Sequence, residues 1–199
     1  MKKAIQETLK ICREKGVLSD YINERESAIV DILTRELEQR QRVSNIAKSM
    51  KISGRKKAIV DSLRTIMRIM NFSQSEAMEC LEIPDENREY YSEAIKQSDV
   101  ASPIQEAINN KCKHCKDSFS LLFDEEYQLN LYYLGCEKDG WKLGMCDVLR
   151  CLVQNMKLSL NEAMNFLGIP NEERPNYCKA IEKGDTKDLL DYDEEDDVS

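Results

Sequence analysis

One short motif in this chain has the spacing of metal ligands. Cys112 and Cys115 are separated by two residues, as thiolate pairs in structural zinc sites often are. Such a site normally needs four ligands, and the next cysteines, Cys136 and Cys146, have nine residues between them. Zinc is therefore a weak hypothesis for Cys112 and Cys115. We expect no metal or cofactor, and we expect the cysteines to be reduced and to serve as small apolar core residues.

Residues that could form a catalytic site are scarce. His114 is the only histidine, so a Ser-His-Asp or Cys-His site would have to include it, and its neighbours are charged. The glycines Gly135, Gly140 and Gly144 lie in a helical-looking segment and do not follow a strand, so they do not resemble a phosphate-binding loop. Carboxylates are numerous but scattered. The sequence therefore predicts no catalytic residue and a protein that is not an enzyme.

The composition predicts an all-α protein. Of the 199 residues, 41% are apolar and 33% are charged, which suits a folded chain with a well solvated surface. Only seven glycines and four prolines occur, too few for the dense turns of a sandwich or barrel. No apolar stretch is long enough to span a bilayer, and the first residues lack the apolar core of a signal peptide. We expect a cytoplasmic protein with no membrane contact.

An internal repeat organises the chain. Residues 61–95 align with residues 147–181 without a gap at a shift of 86 positions, and 16 of the 35 pairs are identical. Both copies contain the pattern Ser-x-x-Glu-Ala-Met-x-x-Leu-x-Ile-Pro. Self-similarity of this length indicates a duplication. The sequence predicts two copies of a three-helix unit that resembles a helix-turn-helix.

Each copy shows the signals of three helices. The first helix has apolar residues on one face, and the second opens with a capping box at Ser73 or Ser159. Pro84 and Pro170 must end that helix early. In the second copy we expect the third helix to begin with Pro175 as its first residue. The apolar stripes are Ile59, Leu63, Ile66, Met67 and Met70 in the first copy, and Met145, Leu149, Leu152, Val153 and Met156 in the second.

These patterns divide the chain into five parts. Residues 1–54 form an N-terminal helical segment, in which Gly16 ends the first helix. Residues 55–97 form the first repeat, residues 98–134 form a linker and a further helical segment, and residues 135–184 form the second repeat. Residues 185–199 form an acidic tail that we expect to be disordered or docked on a basic surface.

The charge is distributed unevenly around a net value of −8. The basic stretch, residues 35–68, has ten basic residues against three acids, whereas from Glu182 onward nine acids face two lysines. A basic stretch of this kind can follow a phosphate backbone, dock an acidic protein or the chain's own tail, or simply be a solvated face. The candidate partner-binding residues are Lys48, Lys51, Arg55, Lys56, Lys57, Arg64 and Arg68.

The helix-turn-helix pattern does not by itself predict DNA binding. DNA-reading helices place Arg, Lys, Asn or Gln where they approach phosphates and base edges. The third helix of the first copy instead has four acidic residues around Arg88. Such a helix would be repelled by DNA, which favours a packing unit. The acidic residues are Asp85, Glu86, Glu89 and Glu93.

Two segments resemble a known family. Residues 4–33, from Ala4-Ile-Gln-Glu-Thr-Leu to Ile29-Val-Asp-Ile-Leu33, resemble the segment that follows the catalytic core in recombination-promoting nucleases, the transposase-like group of the PD-(D/E)XK nucleases. The repeat unit is similar to C-terminal repeats on such proteins. In that family the core lies upstream, so no catalytic residue is carried over. The resemblance implies an oligomerising, inhibitor-like module that associates with a full-length nuclease and restrains it.

Three hypotheses follow. The leading one is a non-catalytic protein-interaction module, an inhibitor or antitoxin-like regulator from a bacterium or phage, whose protein partner is a nuclease or a second copy of this chain. The alternative is a nucleic-acid-binding helix-turn-helix regulator that uses the basic stretch. The third is a structural protein stabilised by zinc through Cys112.

Overall fold

The computed structural model describes residues 2–17, 19–97, 103–114, 124–184, 186 and 189–190. All regular secondary structure in this part of the chain is helical, which confirms the all-α fold class. Within the same residues, no helix combines the length and apolarity needed to cross a bilayer. The helices are α1 (Lys2–Glu14), α2 (Ser19–Met70), α3 (Gln74–Cys80), α4 (Asp85–Lys96), α5 (Pro103–His114), α6 (Glu125–Asn155), α7 (Leu160–Phe166) and α8 (Arg174–Glu182).

The chain divides into two compact units, Met1–Ile46 and Ala47–Ser199. The boundary lies inside α2, which also continues past residue 54, where the sequence suggested a segment boundary. In the same way α6 continues past residue 134. No proline interrupts either stretch, so nothing in the backbone requires the helix to end there.

The first unit is a helical hairpin of α1 and the first part of α2. Its core consists of Ile5 and Leu9 from α1 and Ile22 and Val30 from α2. As predicted, Gly16 follows the end of α1, and its φ of +69° is one that glycine adopts without strain. The backbone amide of Gly16 donates to the Arg13 carbonyl and that of Val17 to the Cys12 carbonyl, which satisfies two carbonyls at the helix end.

The second unit has the larger core, with twenty buried side chains. The predicted stripes contribute to it: Leu63, Ile66, Met145, Leu149 and Leu152 are buried, and the remaining members are partly buried against the same cluster. These stripes were therefore predicted correctly as core.

The second helix of each predicted copy is short, as expected. Both α3 and α7 open with a complete capping box, at Ser73 and Ser159. Both are followed by a residue with positive φ, Glu82 at +52° and Gly168 at +71°, two residues before a proline. The third helix α8 begins at Arg174, so Pro175 is its second residue and not its first. Proline is tolerated there because the first four amides of a helix have no intrahelical acceptor.

The end of the described chain includes part of the predicted acidic tail. Leu189 is buried in the core of the second unit, and Leu190 packs against it. The amides of both leucines donate to the Thr186 carbonyl, which forms a turn. Residues 185, 187, 188 and 191–199 lie outside the described residues.

Candidate partner-binding surface

A close crossing of α2 and α6 positions the middle of the basic stretch. A Cβ atom at Gly54 would lie 1.9 Å from the Glu137 carbonyl oxygen, and one at Gly140 would lie 1.9 Å from the Lys51 carbonyl oxygen. A Cβ atom at Gly144 would lie 2.7 Å from the Arg55 carbonyl oxygen. Because such distances are sterically forbidden, the two backbones touch only where side chains are absent.

Two polar contacts connect the helices on either side of this crossing. The Arg55 Nε donates to Asp147 Oδ2 at 2.6 Å, and the Trp141 Nε1 donates to Asp61 Oδ2 at 3.2 Å. Arg55 and Asp147 are both partly exposed to solvent, so their ion pair adds little stability. The ion pair holds Arg55 against α6, and the Trp141 hydrogen bond holds Asp61 against the same helix.

The structure does not bring the seven candidate basic residues into one patch. A residue advances about 100° around an α-helix, which places Lys48, Lys51 and Arg55 on one side of α2. Three others, Lys57, Arg64 and Arg68, lie on a different side. Lys56 lies between the two groups. A ligand that contacts one face of α2 would therefore reach only part of the set.

The acidic helix α4 lies beside the basic stretch. The Arg64 Nη2 donates to the carbonyl oxygen of Ala94 at 3.1 Å and also to that of Gln97, at the C-terminal end of α4. The Lys56 Nζ lies 4.6 Å from the centre of the Tyr90 ring. The four carboxylates of α4 therefore offset the positive charge nearby. They belong to Asp85, Glu86, Glu89 and Glu93, all of which are exposed.

Four candidate basic residues have no partner among the described residues. The side chains of Lys48, Lys51, Lys57 and Arg68 make no ion pair or hydrogen bond there. Lys51 is half-buried, and the other three are exposed. Lys57 lines a cavity of about 390 Å³ together with Asp61 and Trp141. Ligand pockets are often of this size.

One buried charge was not predicted from the sequence. The side chain of Asp139 is fully buried, and the Lys142 Nζ lies 3.9 Å from its Oδ1. A buried carboxylate must be paired or hydrogen-bonded to remain charged. Asp139 precedes Gly140 in α6, so it lies at the helix crossing.

The described cysteines behave as core residues. Six of them are free thiols, of which Cys136 and Cys146 are buried. Burial raises the pKa of the Cys146 thiol to about 11, so the thiolate that would react or bind a metal is disfavoured. No group of three potential metal ligands occurs among the described residues. Of the zinc candidates, Cys112 is in the last turn of α5, and Cys115 lies outside the described residues.

Large apolar side chains are exposed mainly on the first unit. Ten large apolar residues are exposed in the described part of the chain, and seven of them belong to the first 46 residues. Burying these side chains against another protein would remove apolar surface from water, which favours association. Sequence reasoning did not predict this exposure. The seven are Ile11, Val17, Tyr21, Ile32, Leu33, Leu37 and Ile46.

Comparison of the chain with family models, with curated proteins and with solved structures gave no significant match.

Proposed function

We propose that this chain is a non-catalytic protein-interaction module that regulates a nuclease as an inhibitor or antitoxin does. The observation that carries the proposal is the concentration of exposed large apolar residues on the first unit. Burying such residues against another protein removes apolar surface from water, which drives most protein associations. A catalytic role would require a cluster of polar groups, and the charges near the helix crossing are instead paired across it.

The charges of the second unit favour a protein partner over nucleic acid. Binding to nucleic acid requires an uninterrupted basic surface that neutralises several phosphates. Here Arg64 caps the end of α4, and Arg55 is paired with Asp147, so two of the candidate cations are already engaged. The exposed carboxylates of α4 would repel a phosphate backbone that approaches the same region.

The family resemblance and the acidic helix support a nuclease as the partner. A nuclease needs a basic cleft for its substrate, and the exposed face of α4 has the complementary charge. Tyr90 is 48% exposed on this helix and offers an apolar contact among the carboxylates. Occupying the cleft with such a helix would compete with nucleic acid.

The proposal includes two copies of one three-helix unit, α2–α4 and α6–α8. Gly54 and Gly140 occupy equivalent positions, and a Cβ atom added to either would lie 1.9 Å from a carbonyl oxygen of the opposite helix. Equivalent arginines also make equivalent contacts with carbonyl oxygens. Arg64 donates to Ala94 at 3.1 Å and Arg150 to Ala180 at 3.3 Å, while Arg88 donates to Ile83 at 3.2 Å and Arg174 to Ile169 at 3.0 Å.

The alternative is a nucleic-acid-binding regulator that uses the basic stretch, residues 35–68. The exposed and unpaired side chains of Lys48, Lys57 and Arg68 support it. This alternative predicts an affinity for duplex that falls steeply with salt and rises when residues 185–199 are deleted, because the acidic tail would compete for the same cations.

Both hypotheses can be separated by an affinity capture from the native host. Tagged chain is incubated with lysate that has been treated with nuclease, at low and at high salt, and the captured nuclease is then assayed on plasmid DNA. We expect a nuclease that survives both treatments and that is inhibited by added chain. Recovery of salt-sensitive nucleic acid alone would favour the alternative.

A matched pair of variants tests the role of α4. Replacing Glu86, Glu89 and Glu93 with Gln should weaken inhibition about tenfold or more, because the complementary charge is lost. Replacing the exposed Glu172 and Glu173 with Gln serves as the control and should leave inhibition unchanged. Equal inhibition by both variants would contradict the competitive mechanism.

A further inference from the structure

An apolar stripe on α2 continues beyond the part that α1 covers. Val30, Leu33 and Leu37 follow one another at spacings of three and four residues, which places them on one face of the helix, whereas Arg25, with φ −131° and ψ 16°, interrupts the helix between Ile22 and Val30. Ile22 and Val30 are buried against α1, with 5% and 6% exposure. Leu33 and Leu37 are 41% and 39% exposed and belong to no buried cluster. The hairpin stripe, Leu33 and Leu37, is thus a packing face without a partner among the described residues.

The first unit has few other sources of stability. Its buried core consists of four apolar side chains, and units of this size are usually stabilised by disulfides, metals or association. Cys12 is the only cysteine in residues 1–46, so no disulfide can form within the unit. The described residues contain no group of metal ligands. Association would add buried apolar surface to this small core.

The charges around the hairpin stripe suit an identical partner. Residues 31–42 contain three acids and three bases, so they attract neither a polyanion nor a strongly basic surface. Glu36 and Arg40 lie one turn apart beside Leu37 and form an ion pair of 3.4 Å. In an antiparallel pair of these helices, Glu36 of each copy can lie opposite Arg40 of the other. Such a self-complementary patch is what a two-fold interface requires.

We propose that the hairpin stripe is a self-association surface, through which two copies of this chain combine their hairpins into an antiparallel four-helix bundle. Each copy contributes α1 and the first part of α2, and Leu33 and Leu37 of both copies become buried in the shared core. This inference rests on the proposed function in taking the first unit to be a protein-binding surface, and it names a second copy as the partner there. The acidic face of α4 remains free for the nuclease.

Sedimentation equilibrium of the purified full chain, over protein concentrations of about 1 to 100 μM, tests the proposal. The monomer mass is 23.1 kDa, and we expect the wild type to approach twice that mass. Replacing Leu33 and Leu37 with Ala should weaken the dimer about 100-fold or more while circular dichroism remains helical, because alanine favours helix.

The control replaces Ile52 and Ile69, which are 58% and 52% exposed on α2 outside the stripe, with Ala. This variant should dimerise as the wild type does. A wild type that is monomeric at every concentration would overturn the proposal, and so would a Leu33→Ala, Leu37→Ala variant that dimerises normally. If the chain is monomeric but captures a nuclease, the proposed function stands and the dimer proposal fails. If the chain is a dimer that neither captures nor inhibits a nuclease, the proposed function fails and the dimer proposal stands.

Discussion

At the residue scale, the two capping boxes predicted from the sequence are formed in the structure. Ser73 Oγ accepts from the Glu76 amide, and the Glu76 carboxylate accepts from the Ser73 amide at 2.7 Å. Ser159 and Glu162 repeat this arrangement, with the carboxylate contact at 2.8 Å. The hydrogen bonds from the serine side chain and backbone lower the pKa of both glutamates. Their ionised form is therefore favoured by folding.

Removing one cap should cost measurable stability. We expect Ser159→Ala to lower the free energy of unfolding by about 1 kcal/mol at neutral pH, because α7 loses the side-chain acceptor for its third amide. Since the folded pKa of Glu162 lies below its ordinary value of 4.5, the contribution of the ionised glutamate is fully present above that pH. It is lost as the pH falls through the folded pKa.

Urea unfolding at neutral pH and at several values below 4.5 measures both effects. The difference between wild type and Ser159→Ala should shrink as the pH falls. Asn161→Ala, at an exposed position in the same helix, is the control and should change stability little. A difference that stays constant down to the lowest pH would show that the glutamate does not contribute to the cap.

At the element scale, the apolar faces and the ends of helices could be predicted from the sequence, but the crossing of α2 and α6 was not predicted. The apolar spacing of Leu63 and Leu149 and the prolines after α3 and α7 act within a few residues, so the sequence shows them directly. The crossing at Gly54 and Gly140 depends on two distant segments. The sequence does contain a sign of this crossing. Extending the repeat alignment seven positions upstream of residue 61 pairs Gly54 with Gly140.

The crossing itself can be tested with the smallest possible side chain. Gly140→Ala should lower the free energy of unfolding by about 3 kcal/mol, because its Cβ would overlap the Lys51 carbonyl oxygen and force the helices apart. At an uncrowded helical position the same change would instead stabilise the protein by about 1 kcal/mol. Thermal and chemical unfolding of the variant would show the sign directly.

Ser53→Ala provides the matched control for this substitution. Ser53 is exposed on α2 beside Gly54, so removing its hydroxyl should have little effect. If Gly140→Ala left stability unchanged or raised it, the close approach of α2 and α6 would be contradicted.

At the scale of the whole molecule, the division into units could not be predicted from local pattern. The boundary between Ile46 and Ala47 falls inside α2, well after its non-helical residue Arg25, where composition and helix propensity do not change. What changes is the packing around the helix, which depends on α1 before the boundary and on α6 after it. For the same reason, the exposure of Leu33 and Leu37 could not be predicted from their spacing alone.

The unequal cores predict unequal protection from hydrogen exchange. Four buried side chains hold the first unit, whereas twenty form the core of the second. Opening a unit costs free energy in proportion to the apolar contacts that it breaks, so amides near Leu9 should exchange much faster than those near Leu63 and Leu149. Exchange measured by mass spectrometry at a protein concentration too low for association would show this order. Raising the protein concentration should slow exchange in residues 2–46 alone, because only this unit gains contacts in the dimer. Equal protection of both units at low protein concentration would contradict their independence.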